Sequence, residues 1–80
     1  MSKFTLVIDC PPGNIRPDDI AKQVLENTDI ILDEAKSKVF GEWTWDIPEQ
    51  YTETYQKNQK LIGERLTKLY NNGAIRYAEW

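Results

Sequence analysis

The chain has 80 residues, of which 40% are hydrophobic and 29% charged, and its formal net charge is −3. This length corresponds to one small domain, so we expect a single domain over residues 1–80. The sequence contains no histidine and only one cysteine, which excludes histidine-based catalysis, an internal disulfide and a cysteine-rich metal site. We therefore expect a protein that is not an enzyme, with no cofactor and no bound metal.

The acidic balance disfavours binding that depends on neutralising phosphate groups. No apolar run approaches the ~20 residues that cross a bilayer. The apolar stretch that follows residues 1–3 is too short for a signal peptide. The sequence therefore predicts a soluble, cytoplasmic protein that does not bind membranes.

The first half of the sequence predicts a strand, a helix and a short second strand. Residues 4–9 alternate in the period of two that a strand requires, and the proline-rich segment after Cys10 ends it. Pro17 suits the first turn of a helix, which we expect to run to about Asn27. The apolar residues 30–32, two of which are β-branched, predict a second strand or, in a less regular alternative, only an extended connection.

Residues 38–45 predict a third strand, since they are rich in aromatic and β-branched side chains. In a continuous strand, alternate residues share a face. One predicted face carries Val39, Gly41, Trp43 and Trp45, and the other carries Phe40, Glu42 and Thr44. If Val39 and Trp43 face inward, then Glu42 faces outward; the sequence does not decide between the two faces, because a slip of one residue exchanges them.

A second helix is predicted after the third strand. Asp46 and Glu49 have the spacing of a capping box, and Gly73 is a suitable residue for a left-handed C-terminal stop. The apolar stripe of this helix is aliphatic in its second half and rich in tyrosine near its start. We therefore expect the end with Tyr51 and Tyr55 to be only partly buried.

A last strand is predicted over residues 74–80. The resulting order of strand, helix, strand, strand, helix, strand indicates an α+β fold. We expect a ferredoxin-like βαββαβ two-layer sandwich, with an antiparallel sheet and both helices on one face. The face without helices would then carry the mixed aromatic, small and charged side chains that proteins use to bind partners.

Part of the predicted third strand resembles the corresponding strand of the RNA-recognition motif. Lys38, Phe40 and Gly41 fit the pattern of a basic residue followed by aromatics around a glycine. Val39 stands where the pattern has glycine, and Glu42 stands where it has a second stacking aromatic. The resemblance implies a single-stranded RNA-binding module, which we keep as an alternative function.

The sequence favours a small acidic protein that acts by stoichiometric interaction with a protein whose surface is basic. Its size and charge suggest an inhibitor of a nucleic-acid-binding enzyme or of a host defence complex, like small accessory proteins of phages and other mobile elements. A homo-oligomeric structural domain, for example a homodimer, is a further alternative. The candidate partner-binding residues are aromatic or acidic: Phe40, Glu42, Tyr51, Tyr55, Asp18, Asp19, Glu49, Glu53 and Trp80.

Overall fold

The structure, a computed structural model, describes residues 4–11, 13, 16–39 and 41–80. In chain order these residues form β1 (Thr5–Asp9), α1 (Pro17–Val24), β2 (Ser37–Val39), β3 (Glu42–Asp46), a 3₁₀ turn (Glu49–Tyr51), α2 (Thr52–Asn71) and β4 (Tyr77–Glu79). The strands pair in the order β2-β3-β1-β4, and all neighbours are antiparallel. β1 and β3 are therefore central, and β2 and β4 are the edge strands.

The predicted α+β class, with an antiparallel sheet and two helices, is confirmed. The ferredoxin-like arrangement is not matched in full, because a 3₁₀ turn precedes α2 and two strands do not occupy the predicted segments. The predicted strand at residues 30–32 is wrong, since this segment pairs with no strand. It connects α1 to β2, as the less regular alternative has it.

α1 ends at Val24, before the predicted end at about Asn27, and the loop that follows shows why. Asn27 and Asp29 both adopt left-handed backbone conformations, with φ of 65° and 63°, which these two residue types tolerate better than most. The buried Thr28 hydroxyl donates to the Leu25 carbonyl oxygen at 2.6 Å. This hydrogen bond closes the turn and turns the chain away from the helix axis.

The predicted third strand over residues 38–45 is wrong as a single strand, because the chain reverses at Gly41. β2 and β3 form a hairpin in which Val39 lies opposite Glu42. Gly41 has a φ of 95°, and its carbonyl oxygen accepts a hydrogen bond from the Cys10 amide at 3.2 Å. A Cβ atom at Gly41 would lie 2.9 Å from the Cys10 carbonyl oxygen, so only glycine fits this turn without strain.

The hairpin places Val39 and Trp43 on opposite faces, so the prediction that they share a face is wrong. Val39 and Trp43 would share a face in a continuous strand, but the register pairs Val39 with Glu42 and Lys38 with Trp43. Val39 is consequently 51% exposed. Glu42 and Thr44 share a face, as predicted, and this is the face without helices.

The helix-covered face of the sheet is built around Leu6 and Ile8 of β1, both of which are fully buried. Trp45 lies opposite Leu6, and Trp43 lies opposite Ile8, so all four side chains share this face. Burying an aliphatic side chain of this size contributes roughly 1.5–3 kcal/mol to stability. The helices contribute the facing core residues Ile20, Ala21, Val24, Tyr55, Ile62 and Leu66.

α2 begins at Thr52 after the 3₁₀ turn and not at a capping box. Asp46 is the last residue of β3, and its Oδ1 lies 3.0 Å from Lys36 Nζ. Neither the 3₁₀ turn nor α2 has a side-chain hydrogen bond at its N-cap, so the capping-box prediction is wrong. The predicted stop is confirmed, since α2 ends at Asn71 and Gly73 has a φ of 84°.

Replacing Gly41 by alanine is expected to lower the free energy of unfolding by about 2–3 kcal/mol. The substitution combines a left-handed backbone with a close approach to the Cys10 carbonyl oxygen. Gly73→Ala is the matched control, because Gly73 is also left-handed but has no atom within 4 Å of the added Cβ. Gly73→Ala should lower the free energy of unfolding by only about 1 kcal/mol. Urea unfolding measures both, and equal losses would contradict the role given to the Cys10 contact.

Candidate partner-binding surface

The sheet face without helices is the candidate partner-binding surface, and we call it the open face. Pairing across the strands arranges its side chains in rows. The first row contains, from β2 to β4, Val39, Glu42, Asp9 and Tyr77. The second row contains Ser37, Thr44, Val7 and Glu79. Each row therefore combines apolar or small side chains with at least one carboxylate.

Carboxylates dominate the charge of the open face. Asp9 and Glu42 lie directly opposite each other on β1 and β3, and like charges in such pairs repel. Arg76 Nη2 lies 3.1 Å from Asp9 Oδ1 and offsets one of the two charges. Among the described residues, no cationic group lies within ion-pair distance of Glu42 or Glu79. The open face thus retains negative charge that a cation from a partner would neutralise.

Tyr77 is the exposed aromatic residue of the open face, with 45% of its surface accessible. Its hydroxyl donates a hydrogen bond to the Glu79 carboxylate. This hydrogen bond raises the pKa of the Tyr77 phenol, and the nearby Glu42 carboxylate adds to the rise. The phenol therefore remains a hydrogen-bond donor and holds the Glu79 side chain beside it.

The predicted partner-binding residues are not brought together in one place. Glu42 lies on the open face, whereas the prediction for Phe40 lies outside the described residues. Asp18 and Asp19 lie in the first turn of α1, where they face the positive end of the helix dipole. Asp18 also lies 4.0 Å from Lys22 Nζ, so local interactions account for its position.

The start of α2 contains a second group of predicted residues. Glu49 is exposed and Tyr51 is half-buried in the 3₁₀ turn. Glu53 Oε1 lies 3.7 Å from Lys57 Nζ, an exposed pair one helical turn apart. The expectation of partial burial is confirmed for Tyr51 and wrong for Tyr55, whose side chain has no exposed surface.

Tyr55 belongs to the core and not to a binding surface. Its ring packs against Phe4 with centroids 5.2 Å apart. Its hydroxyl has no hydrogen-bond partner among the described residues, and burial raises the pKa of this phenol to about 12. Tyr55 therefore packs between α2 and the residue that precedes β1.

Trp80 packs against α2 and remains 44% exposed. A Cβ atom at Gly63 would lie 2.8 Å from the Trp80 Nε1 atom, so the missing side chain makes room for the indole. Gly63 is accordingly buried in the middle of the helix. The sequence identified Trp80 as a candidate contact but did not indicate that this glycine accommodates it.

Sequence reasoning did not place Asp9, Tyr77 or Glu79 among the binding candidates. The proximity of Asp9 to Glu42 depends on the pairing of β1 with β3, which are distant in the chain, so no local pattern reveals it. The spacing of Tyr77 and Glu79 did indicate that they lie on the same face, because residues two apart on a strand share a face. The sequence did not show which alternate residues of the last strand face the helices, so this pair could not be assigned to the open face.

Other kinds of site are not evident in the part of the chain that the structure describes. It contains no group of three or more metal-binding side chains. Neither α1 nor α2 combines the length and the apolar character needed to cross a bilayer. Comparison with protein-family models, curated proteins and solved structures finds no match to this chain. The open face is therefore interpreted from its own geometry and charge.

Replacing Gly63 by alanine tests the contact with Trp80. Alanine in a helix interior normally stabilises by about 1 kcal/mol relative to glycine. In the intact protein the added Cβ must displace the indole, so we expect Gly63→Ala to lose this gain or to destabilise. In a Trp80→Ala background the same substitution should stabilise by about 1 kcal/mol. Urea unfolding of the four proteins gives the coupling, and additive effects would contradict the contact.

Replacing Tyr55 by phenylalanine is expected to remove a loss of stability at alkaline pH. The folded-state pKa of about 12 exceeds the ordinary value of 10.0, so the folded protein holds this proton more tightly than the unfolded chain. The protonated Tyr55 phenol makes its full contribution to the free energy of unfolding below pH 10. This contribution falls by about 3 kcal/mol as the pH rises through the folded-state pKa. Thermal unfolding from neutral to alkaline pH measures the slope.

The matched control for this prediction is Tyr70→Phe, since Tyr70 is 58% exposed. The control variant should keep the steep alkaline loss of the unmodified protein. A Tyr55→Phe protein with the same alkaline slope as the control would show that the phenol is not buried in solution.

Proposed function

We propose that the protein binds a basic protein surface stoichiometrically through the open face. The observation that carries this proposal is the first row of that face, where the paired carboxylates of Asp9 and Glu42 lie between exposed Val39 and Tyr77. Only Asp9 has a cationic partner among the described residues. An incoming lysine or arginine would relieve the repulsion between the two carboxylates.

The chemistry of the row favours arginine-rich and lysine-rich partners. A guanidinium group can form paired charge-assisted hydrogen bonds with a carboxylate such as Glu42 or Glu79. It can also stack on an exposed aromatic ring such as Tyr77. Tyrosine is among the residues that contribute most to interface affinity. The apolar surface of Val39 supports contact with the aliphatic stem of the same side chains.

The charge of the open face supports a protein partner over a nucleic acid. Its carboxylates would repel a phosphate backbone. Lys38 is the basic residue in the stretch that resembles the RNA-recognition motif, and it lies on the helix-covered face. Its Nζ atom is 4.6 Å from the Trp43 ring centroid and 2.9 Å from Glu34 Oε1. The turn at Gly41 also divides the resembling stretch into two strands.

A protein whose own basic surface binds nucleic acid is a suitable partner for this face. Covering such a surface would block the nucleic acid from reaching it, and the protein would then act as an inhibitor without catalysis. This role needs no bound cofactor. It requires only that the open face compete with phosphate groups for the same cationic side chains.

We also propose that the fold is a shortened variant of the ferredoxin-like sandwich. The sheet order β2-β3-β1-β4 with antiparallel neighbours supports this relationship, as does the position of one helix after β1 and one after β3. The 3₁₀ turn and the three-residue edge strands would then be local departures from the longer form.

Glu42→Lys is expected to weaken binding of a synthetic arginine- and lysine-rich peptide by about tenfold at low salt. This loss corresponds to one charge contact of roughly 1.4 kcal/mol. Glu64→Lys is the matched control, since it makes the same change in net charge on the exposed side of α2. Calorimetry measures affinity, and amide chemical-shift changes should concentrate on the strands.

Two outcomes would contradict the proposal. Equal weakening by both substitutions would indicate attraction by net charge alone, and shift changes on the helices would indicate another surface. Binding of a single-stranded RNA oligonucleotide in preference to the peptide would favour the RNA-binding alternative.

A further inference from the structure

Three exposed aromatic side chains gather around β4. Tyr70 is 58% exposed, Tyr77 45% and Trp80 44%. Tyr70 and Trp80, together with Leu66 and Ile75, line a groove of about 320 Å³ between α2 and the edge of the sheet, while the Tyr77 side chain lies on the open face. Large exposed hydrophobic residues are unremarkable when scattered, but a contiguous group of them marks an interaction surface.

The same place has a strand edge that no described residue pairs with. Within the described part of the chain, β4 pairs with β1 on one side, and its other side presents backbone donors and acceptors to solvent. β2 is also an edge strand, but it contains Lys38, and lysine on an edge strand discourages pairing with another chain. The sequence of β4, Tyr77-Ala78-Glu79, contains neither lysine nor proline.

We propose that two copies of this chain pair along β4, antiparallel to each other, with the two-fold axis at Ala78. In this register Tyr77 of each copy lies opposite Glu79 of the other, and the two small Ala78 side chains meet at the axis. A register centred on Glu79 would instead place two carboxylates opposite each other, which is unfavourable. The pattern of the strand is thus complementary to itself around Ala78.

The side chains of the two faces fit this arrangement. The Tyr77 phenol already donates to a Glu79 carboxylate within one chain, and the second copy offers the same acceptor directly across the seam. On the helix-covered face, Ala78 pairs with Ile8, and the aromatic groove lies beside it. Pairing of the two edges brings the two grooves together and covers Tyr70 and Trp80.

This dimer does not depend on the proposed function. The dimer seam and the proposed partner-binding surface share Tyr77 and Glu79, whereas Glu42 belongs to the partner-binding surface alone and the groove beside α2 to the dimer alone. Failure of the dimer would leave peptide binding intact, and failure of peptide binding would leave the dimer intact.

Sedimentation equilibrium up to millimolar concentration tests the dimer. We expect the mass to rise from 9.4 kDa towards twice that value as concentration increases. Tyr77→Glu places a carboxylate opposite Glu79 of the other copy and should raise the dimer dissociation constant by at least about tenfold. Adding Glu79→Lys turns that pair into an attraction and should restore dimerisation. Glu42→Lys, away from the seam, should leave the mass unchanged.

A cross-linking experiment tests the register directly. In a Cys10→Ala background, Ala78→Cys should form a disulfide-linked dimer on mild oxidation, because residues on the two-fold axis of an antiparallel pair lie directly opposite each other. Gln56→Cys, on the exposed side of α2, should not.

Several results would overturn the inference. One is a mass of a single subunit at every concentration. Another is a dimer that Tyr77→Glu does not weaken or that Glu79→Lys does not restore. Cross-linking at position 56 as fast as at position 78 would also contradict pairing along β4.

Discussion

The packing of Leu6 and Ile8 against the two helices is the interaction on which the rest of the structure depends. β1 is central and pairs with both β3 and β4, so its alternation decides which face their side chains occupy. With Leu6 and Ile8 fully buried, Asp9 must point to the open face, and Glu42 and Tyr77 follow through pairing. A slip of one residue would place Asp9 in the core, which makes the register strongly specified.

Features with a local cause could be predicted from the sequence. The alternation of β1 identified it as a strand, and the left-handed Gly73 after a periodic helix marked where α2 ends. The aliphatic stripe of α2 likewise predicted the burial of Ile62 and Leu66. The shared face of Glu42 and Thr44 was also predicted, because the continuous strand and the hairpin both place them together. Which of the two faces is buried could not be predicted, since a slip of one residue exchanges the faces.

Features that depend on distant contacts could not be predicted in this way. Residues 38–45 have the composition of one strand, and the turn at Gly41 follows from its contact with Cys10 at the end of β1. The buried Gly63 is explained only by Trp80 lying against it. The binding surface was hardest to predict for the same reason, since its carboxylates come from strands that are neighbours in space and not in sequence.

Cross-strand nuclear Overhauser effects in solution test the register that forms the open face. We expect contacts between Val39 and Glu42, between Glu42 and Asp9, and between Asp9 and Tyr77, which together define the first row of the open face. We also expect contacts of Ile8 with Trp43 on the opposite face. A continuous strand through position 41, with Val39 and Trp43 on one face, would contradict the account, because the open face would then no longer carry this row.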